Sequence, residues 1–404
     1  MDPVLNPYTP GAGVSPPELV GRDVLLEKAS IALQRIALGR FGKSLILTGL
    51  RGVGKTAVLN RIRQSAEAEK LIAIRIEAPE GRSLPSLLVP GLNSALVKLS
   101  LGKATSKIAT QAFKALLSFV SAMKLKYQDV ELAVDLNLDP ASEAFSADSN
   151  NPKIPLAPDL DHELVQLFQA VGALAKSRET AVILFIDELQ ILDEKELASL
   201  IMALHMAAQD ALPITLVAAG LPQILAKMGQ AKTYAERLFD FIELGPLDPQ
   251  SATKALVIPA EKLGVIYDSG ALAEILKQTA GYPYFLQEWG KNIWDIAETS
   301  PMTHEDSKRA TKQAIADLDA SFFRVRFDQL SPAQKEYLRA MAELGSGPVG
   351  SGAIAEILGK KVTALGVIRE QLIAKGLIYS PAHGQTVFTV PLFDGFMRRV
   401  MGCS

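Results

Sequence analysis

Apolar residues recur along this chain with two periods, and each change of period marks an element. From Val24 onward Leu25, Ala29, Leu33 and Ile36 keep helical spacing. "KSLILTGL" is then almost continuously apolar, as suits a strand buried on both faces of a parallel sheet. The pattern predicts a helix over 56–69, a strand over 71–78 and further helices from about Ser83 to Ser121. In "YQDVELAVDLNLD" Val130, Leu132, Val134, Leu136 and Leu138 alternate with polar residues, which predicts a strand with one wet face. The Pro-rich "PASEAFSADSNNPKIPLAPDLD" reads as a long loop, so 95–161 is expected to be an insertion. A helix over 162–176, the very apolar strand "AVILFIDELQIL", a helix over 194–210 and the strand "PITLVAAGLP" follow. Strands alternating with helices predict an α/β fold with a parallel sheet.

From Asp248 to about Leu318 the pattern is helical throughout, with breaks at Gly264, Gly281 and Ser300–Pro301. After Ser331 come three short helical patterns and "GLIYSPAHGQTVFTV", two β-rich runs around a Pro/Gly turn, a hairpin signal. The expected organisation is an extended arm over 1–16, a core over 17–247 carrying the insertion, a helical lid over 248–325 and a small domain over 326–404. Trp289 and Trp294, five apart on one lid helix, face different sides and are expected in the core.

Composition narrows the classes. A chain of 404 residues with 48% hydrophobic and 21% charged residues has globular balance and room for two or three domains, which excludes a disordered chain. No run of eighteen apolar residues occurs, so no membrane span is expected. The N-terminus lacks the basic-then-apolar order of a secretory signal. The single cysteine, Cys403, excludes intramolecular disulfides and Cys-based metal sites, which fits a reducing cytoplasm. A net charge of −2 gives no global sign of nucleic-acid binding and leaves a local basic face open.

"GLRGVGKT" fits G-x-x-x-x-G-K-[ST] between a predicted strand and a predicted helix. In such a loop Gly49, Leu50, Arg51, Gly52, Val53 and Gly54 turn backbone N–H groups inward around phosphates, and Ala57 continues the helix whose N-terminus favours the anion. Lys55 supplies a point charge to the β- and γ-phosphates, and Thr56 a hydroxyl to Mg²⁺. "VILFIDELQ" places Asp187 at the C-terminal tip of its strand, where open α/β sheets bind ligands. Asp187 is expected to hold Mg²⁺ and Glu188 to orient or polarise the attacking water. The pair implies a nucleoside triphosphatase, and no N/T-K-x-D supports guanine.

"ELVGRDVLLEKA" resembles the box that precedes the P-loop in STAND-type and origin-recognition (initiator-type) AAA+ ATPases. The resemblance runs from about Pro17 to Arg399. It implies ATP/ADP as the nucleotide, with the backbone at Val20, Gly21 and Arg22 against the adenine. It makes Arg237, in "TYAERLFDF", a candidate arginine finger that completes a neighbour's site and thus implies a nucleotide-dependent homo-oligomer. Gly281-Tyr282-Pro283 resembles the G-x-P signature of STAND ATPases, which places Gly281 and Pro283 beside the nucleotide. Two departures stand out. Ala218, Ala219 and Gly220 offer no side-chain donor at the usual polar sensor position, and the lid lacks the basic sensor of initiator-type proteins. Both losses suggest slow turnover and a switch more than a motor.

"SPAQKEYLRAMAEL", "SGAIAEILG" and "KVTALGVIREQLIAKGLI" with the hairpin look like a winged helix-turn-helix. Its third helix is expected to present Lys360, Lys361, Thr363 and Arg369, with Lys375 at its end and His383 and Gln385 at the wing tip. Those basic residues could contact the phosphates of double-stranded DNA while the helix reads the major groove. Winged helices of STAND proteins also serve protein contacts, so a protein partner is the other expectation. The combined reading is an ATP-binding, slowly hydrolysing switch in which loss of the γ-phosphate repositions the winged helix.

Overall fold

A computed structural model describes the chain except for residues 12, 15, 17, 78–80, 101–106, 128, 131–158 and 403–404. The strand expected after Tyr127, its loop and Cys403 therefore fall outside the described residues, Val130 apart.

Five parallel strands form the central sheet: β1 (Ser44–Thr48), β2 (Ile72–Glu77), β3 (Val182–Asp187), β4 (Ile214–Gly220) and β5 (Phe239–Glu243), in the order β2-β3-β4-β1-β5. Alternate residues serve opposite faces. Val182, Leu184 and Ile186 join Ile46 against α3 (Leu84–Ser100), α4 (Lys107–Lys124), α5 (Leu160–Ser177) and α6 (Glu194–Gln209). Ile183, Phe185, Leu45 and Leu47 pack instead on α1 (Asp23–Ala37) and α2 (Lys55–Ala68). Two covered faces explain the nearly unbroken apolar strands. Because β4 lies between β1 and β3, with Thr48 beside Gly220 and Ile186 beside Ala218, its tip separates the P-loop from Asp187.

The β4–β5 connection holds α7 (Ile224–Ala231) and α8 (Ala235–Leu238). The lid is α9 (Pro249–Glu261), α10 (Ser269–Thr279), α11 (Pro283–Ile296) and α12 (His304–Ala320). Short α13 (Phe322–Asp328) leads to α14 (Pro332–Leu344), whose Ser331 cap bonds the Gln334 amide in a reciprocal box with Pro332 in the first turn. Then come β6 (Val349–Gly350), α15 (Ser351–Ile357), α16 (Gly366–Ala374), β7 (Ile378–Tyr379), β8 (Gln385–Phe388) and α17 (Phe393–Met401). The strands form an antiparallel sheet in the order β6-β8-β7, so three helices and a small sheet give the winged-helix arrangement. The terminal α17 was not in the sequence expectation. Its Phe393 and Phe396 close on Phe323 of α13, with ring centroids 5.7 and 5.4 Å away.

Lid and winged helix share one continuous core, from Leu256 and Trp289 through Phe323 to Tyr337 and Phe393. Trp289 is fully buried, and Trp294 donates to the Asp2 carbonyl at 2.9 Å. The N-terminal arm, largely without regular structure, is strapped across α11. Tyr8 is buried there, donating to the Leu256 carbonyl and sharing a hydrogen bond with Tyr267. Gly290 makes this approach possible, since a Cβ there would stand 2.6 Å from the Tyr8 ring.

Candidate functional site

The loop after β1 turns through Gly52 (φ +83°) and Gly54 (φ +89°), left-handed positions that only glycine adopts without strain. Gly49 is required for a different reason: a Cβ would lie 2.3 Å from the Leu244 carbonyl oxygen beyond β5. The turn ends at the N-terminus of α2, where unpaired amides and the helix dipole favour an anion. Lys55, in its first turn, is buried and donates to the carbonyls of Gly49 and Leu50 at 3.0 and 2.9 Å. Burial lowers its ammonium to about 8, against the opposing pull of Glu188.

Thr56 donates to Asp187 Oδ2 at 2.6 Å, so the two expected Mg²⁺ ligands meet across α2 and β3. Burial raises the Asp187 carboxyl, while the Thr56 bond acts the other way. Glu188, next in the chain, adopts a left-handed backbone (φ 54°). Its carboxylate faces Arg51 Nη1 at 3.8 Å and accepts from the Gln190 amide. Gln190 in turn accepts from the Leu221 N–H at 3.0 Å, and its oxygen lies 2.9 Å from where a Cβ on Gly220 would stand. The small tip of β4 thus admits a side-chain amide from the 3-10 turn (Leu189–Ile191) that follows β3. No donor comes from β4 itself, as the sequence implied; the polar group there is Gln190, which sequence reasoning missed.

The phosphate loop from Arg51 onward and Glu188 open into a cavity of about 330 Å³. Arg51, Gly52, Val53, Gly54, Lys55, Thr56, Ala57 and Glu188 line one end, and Val20, Arg22, Leu247 and Ala255 contribute elsewhere. The Arg22 guanidinium donates to the Gly245 carbonyl at 2.6 Å, so it ties the upstream box to the start of the lid. Gly21 (φ +71°) packs on Ser251. The arm contributes Thr9, Pro10, Gly11, Gly13, Val14 and Pro16 to the same wall, a role its Pro/Gly composition did not reveal.

The lid contributes Pro283, Tyr284 and Gln287. Pro283 occupies the first turn of α11, and the next amide, Tyr284 N–H, donates to the Gly52 carbonyl at 3.0 Å. The P-loop thereby satisfies an otherwise unpaired amide of the helix start. Gly281 does not itself line the cavity, and neither do Gly21, Gly49, Leu50 or Asp187. The φ of +73° at Gly281 and its close approach to the Leu247 carbonyl, where a Cβ would sit at 2.5 Å, make it a contact between core and lid. Phe322 and Arg326 of α13 complete the wall, and neither was anticipated. Phe322 stacks on Tyr284 at 5.0 Å, and the Arg326 guanidinium lies 4.0 Å above the Phe322 ring.

The winged helix also touches this end of the site. Arg51 N–H donates to the Thr389 carbonyl at 3.0 Å, and Arg51 Nε to the Gly376 carbonyl at 3.5 Å. Arg237 stands apart, exposed on α8 and outside the cavity, without an ion pair among the described residues. The third helix is corrected. Gly359 (φ +60°) ends the preceding helix, and a 3-10 turn over Val362–Leu365 intervenes, so α16 begins only at Gly366. Lys360, Lys361 and Thr363 are exposed on that connection, and only Arg369 lies on the helix. Arg369 bonds Ser380 at 2.7 Å, and Lys375 bonds the Gln329 carbonyl at 2.7 Å.

Among the described residues no cluster of three His, Cys, Asp or Glu side chains could hold a metal, and no helix is long and apolar enough to cross a membrane. The Thr56–Asp187 pair suits Mg²⁺, which takes few protein ligands and completes its shell with phosphate oxygens and water.

Comparison with known proteins agrees with this fold. Residues 320–397 match a family described as Domain of unknown function (DUF8462), and residues 18–217 match the AAA ATPase domain. An uncharacterized HTH-type transcriptional regulator of Methanocaldococcus jannaschii is 26% identical over 222 residues. The match spans about half of each protein, 53% of this chain and 53% of the relative. A Walker-type ATPase of Pyrococcus abyssi superposes over 94% of this chain and 96% of its own, with a TM-score of 0.55 and 17% identity, a likeness of fold. The stretch that matches the AAA ATPase domain, residues 18–217, is set in an α/β P-loop fold with a helical lid.

Proposed function

We propose that the chain is an ATP-binding, slowly hydrolysing switch whose winged helix engages double-stranded DNA. The observation that carries the reading is the bond from the Arg51 amide to the Thr389 carbonyl, which joins the P-loop to the winged helix directly. Lys55 and the amides of Gly52 to Thr56 would hold the phosphates, with the adenine toward Val20, Arg22 and the arm. Thr56 and Asp187 would hold Mg²⁺, which supplies neutralising charge to the β- and γ-oxygens. Glu188 is the base or water-orienting group, and its engagement by Arg51 and Gln190 supports slow turnover. Nucleotide arriving at this end competes for Arg51, whose guanidinium lies between Glu188 and Gly376, so occupancy reaches the winged helix through this side chain among its contacts. Arg237, exposed and unpaired, suits the site of a neighbouring copy in a homo-oligomer.

DNA is favoured by exposed Lys360 and Lys361 and by the relative described as an HTH-type regulator. A protein partner is the second reading, favoured because Arg369 and Lys375 are committed to bonds inside their own domain. Duplex-DNA binding by fluorescence anisotropy, at several salt concentrations with ATP or ADP, decides between them. The proposal expects steep salt dependence and a nucleotide effect that Lys55→Ala removes. Absence of DNA binding would leave the protein-partner reading, and identical binding with both nucleotides would remove the switch.

A further inference from the structure

Four basic side chains line the described cavity, Arg22, Arg51, Lys55 and Arg326, against two acidic ones, Glu18 and Glu188. Most are already engaged. Glu18 pairs outward with Lys262, Arg22 is held by the Gly245 carbonyl, and Arg51 faces Glu188. Lys55 is committed to the P-loop lysine's place on the β- and γ-phosphates. Arg326 is different. Its guanidinium donates to the Phe322 carbonyl of its own helix at 2.5 Å, and among the described residues it forms no ion pair. Its position is nonetheless fixed, because the guanidinium lies over Phe322, which stacks on Tyr284, whose amide is bonded to Gly52. Burial, reinforced by the repulsion of Arg51, lowers this guanidinium to about 10, so an arriving anion would relieve an unfavourable charge.

We infer that Arg326 is a ligand of the terminal phosphate of the nucleotide and distinguishes ATP from ADP in this site. The inference rests on the proposed nucleotide site and deepens it. The sequence shows no basic residue at the usual start of the lid helix, where Gly281, Tyr282 and Pro283 stand. Arg326 enters the same cavity from the opposite end of the lid, on the short helix that leads into the winged helix. A guanidinium without an ion pair among the described residues, repelled by Arg51 and only partly offset by Glu188, suits the extra charge that the γ-phosphate adds. The same contact would pull on α13, whose Phe323 packs on Phe393 and Phe396, so recognition and transmission would share one turn of helix.

The test is the ratio of ATP to ADP affinity, measured by displacement of a fluorescent ADP analogue from the full-length protein with Mg²⁺. For Arg326→Gln the expected result is a loss of about ten- to a hundredfold in ATP affinity, the scale of one charged hydrogen bond, with ADP changed by less than about threefold. Arg326→Lys keeps the charge and should recover part of the loss, and a thermal melt shows whether each variant is folded. An unchanged ATP/ADP ratio in both variants would overturn the assignment, as would equal loss of both nucleotides. Lys55→Ala separates this failure from that of the site itself: if it still binds both nucleotides tightly, the P-loop reading falls and not only the role of Arg326.

Discussion

The amide of Arg51, in the middle of the phosphate loop, donates to the carbonyl of Thr389, just beyond the last strand of the winged helix. The residues are far apart in sequence, yet one hydrogen bond puts the C-terminal domain on the backbone that would cradle phosphates. The Arg51 side chain extends the relationship, reaching Glu188 on one side and Gly376 on the other. The phosphate loop and the winged helix therefore meet at this residue.

Gln190 positions Glu188, so Gln190→Ala should lower kcat about tenfold and leave KM for ATP nearly unchanged, because the glutamate does not hold the phosphates. Gly220→Ala should move kcat the same way, since its methyl would stand 2.9 Å from the Gln190 oxygen. Steady-state kinetics of both variants check this. A change confined to KM would contradict the assignment.

Burial holds the Lys55 ammonium near 8, and bound phosphate would raise it. Binding is then accompanied by proton uptake above that pH, and ATP affinity should fall with rising pH, by at most about tenfold per unit. For folding the sign is opposite. The folded group loses its proton more readily than the unfolded one, so Lys55 adds stability as pH rises from about 8 toward its ordinary value of 10.5. Affinities measured at pH 7 and pH 9 test the first statement.

The arm is expected to hold the nucleotide in place. Gly290→Ala would drive a methyl against the Tyr8 ring, costing about 1–3 kcal/mol of stability and loosening the strap over the cavity. A lower melting temperature together with faster release of a fluorescent ADP analogue is the predicted pair of results.

Much of this was legible in the sequence because it is set by local rules. The unbroken apolar strands announce a sheet covered on both faces, and the glycine spacing before Lys55 specifies the loop in any such context. The misplacements have equally physical reasons. At Gly281 the motif does not reveal that a left-handed backbone also serves the approach of Leu247. Lys360, Lys361 and Thr363 fit a helical spacing, yet Gly359 and a 3-10 turn interrupt it. Arg326 and Gln190 carry no motif of their own. Their roles depend on which elements meet across the cavity, and no local window of sequence contains that information.

On the winged helix, Lys360 and Lys361 are adjacent, exposed and outside any ion pair among the described residues. Replacing both by Ala should weaken duplex-DNA binding without regard to sequence and reduce the steepness of the log–log salt plot by about 2. An unchanged slope would favour a protein partner for this domain.

The central claim is that the nucleotide changes the hold of the winged helix on the P-loop. Amide hydrogen exchange over residues 376–390, with Mg²⁺ and either ADP or a non-hydrolysable ATP analogue, reads that hold directly. If the γ-phosphate draws Arg51 away from Gly376, exchange in this segment should be faster with the ATP analogue than with ADP. Equal exchange in the two states, with both nucleotides shown to be bound, would contradict the account.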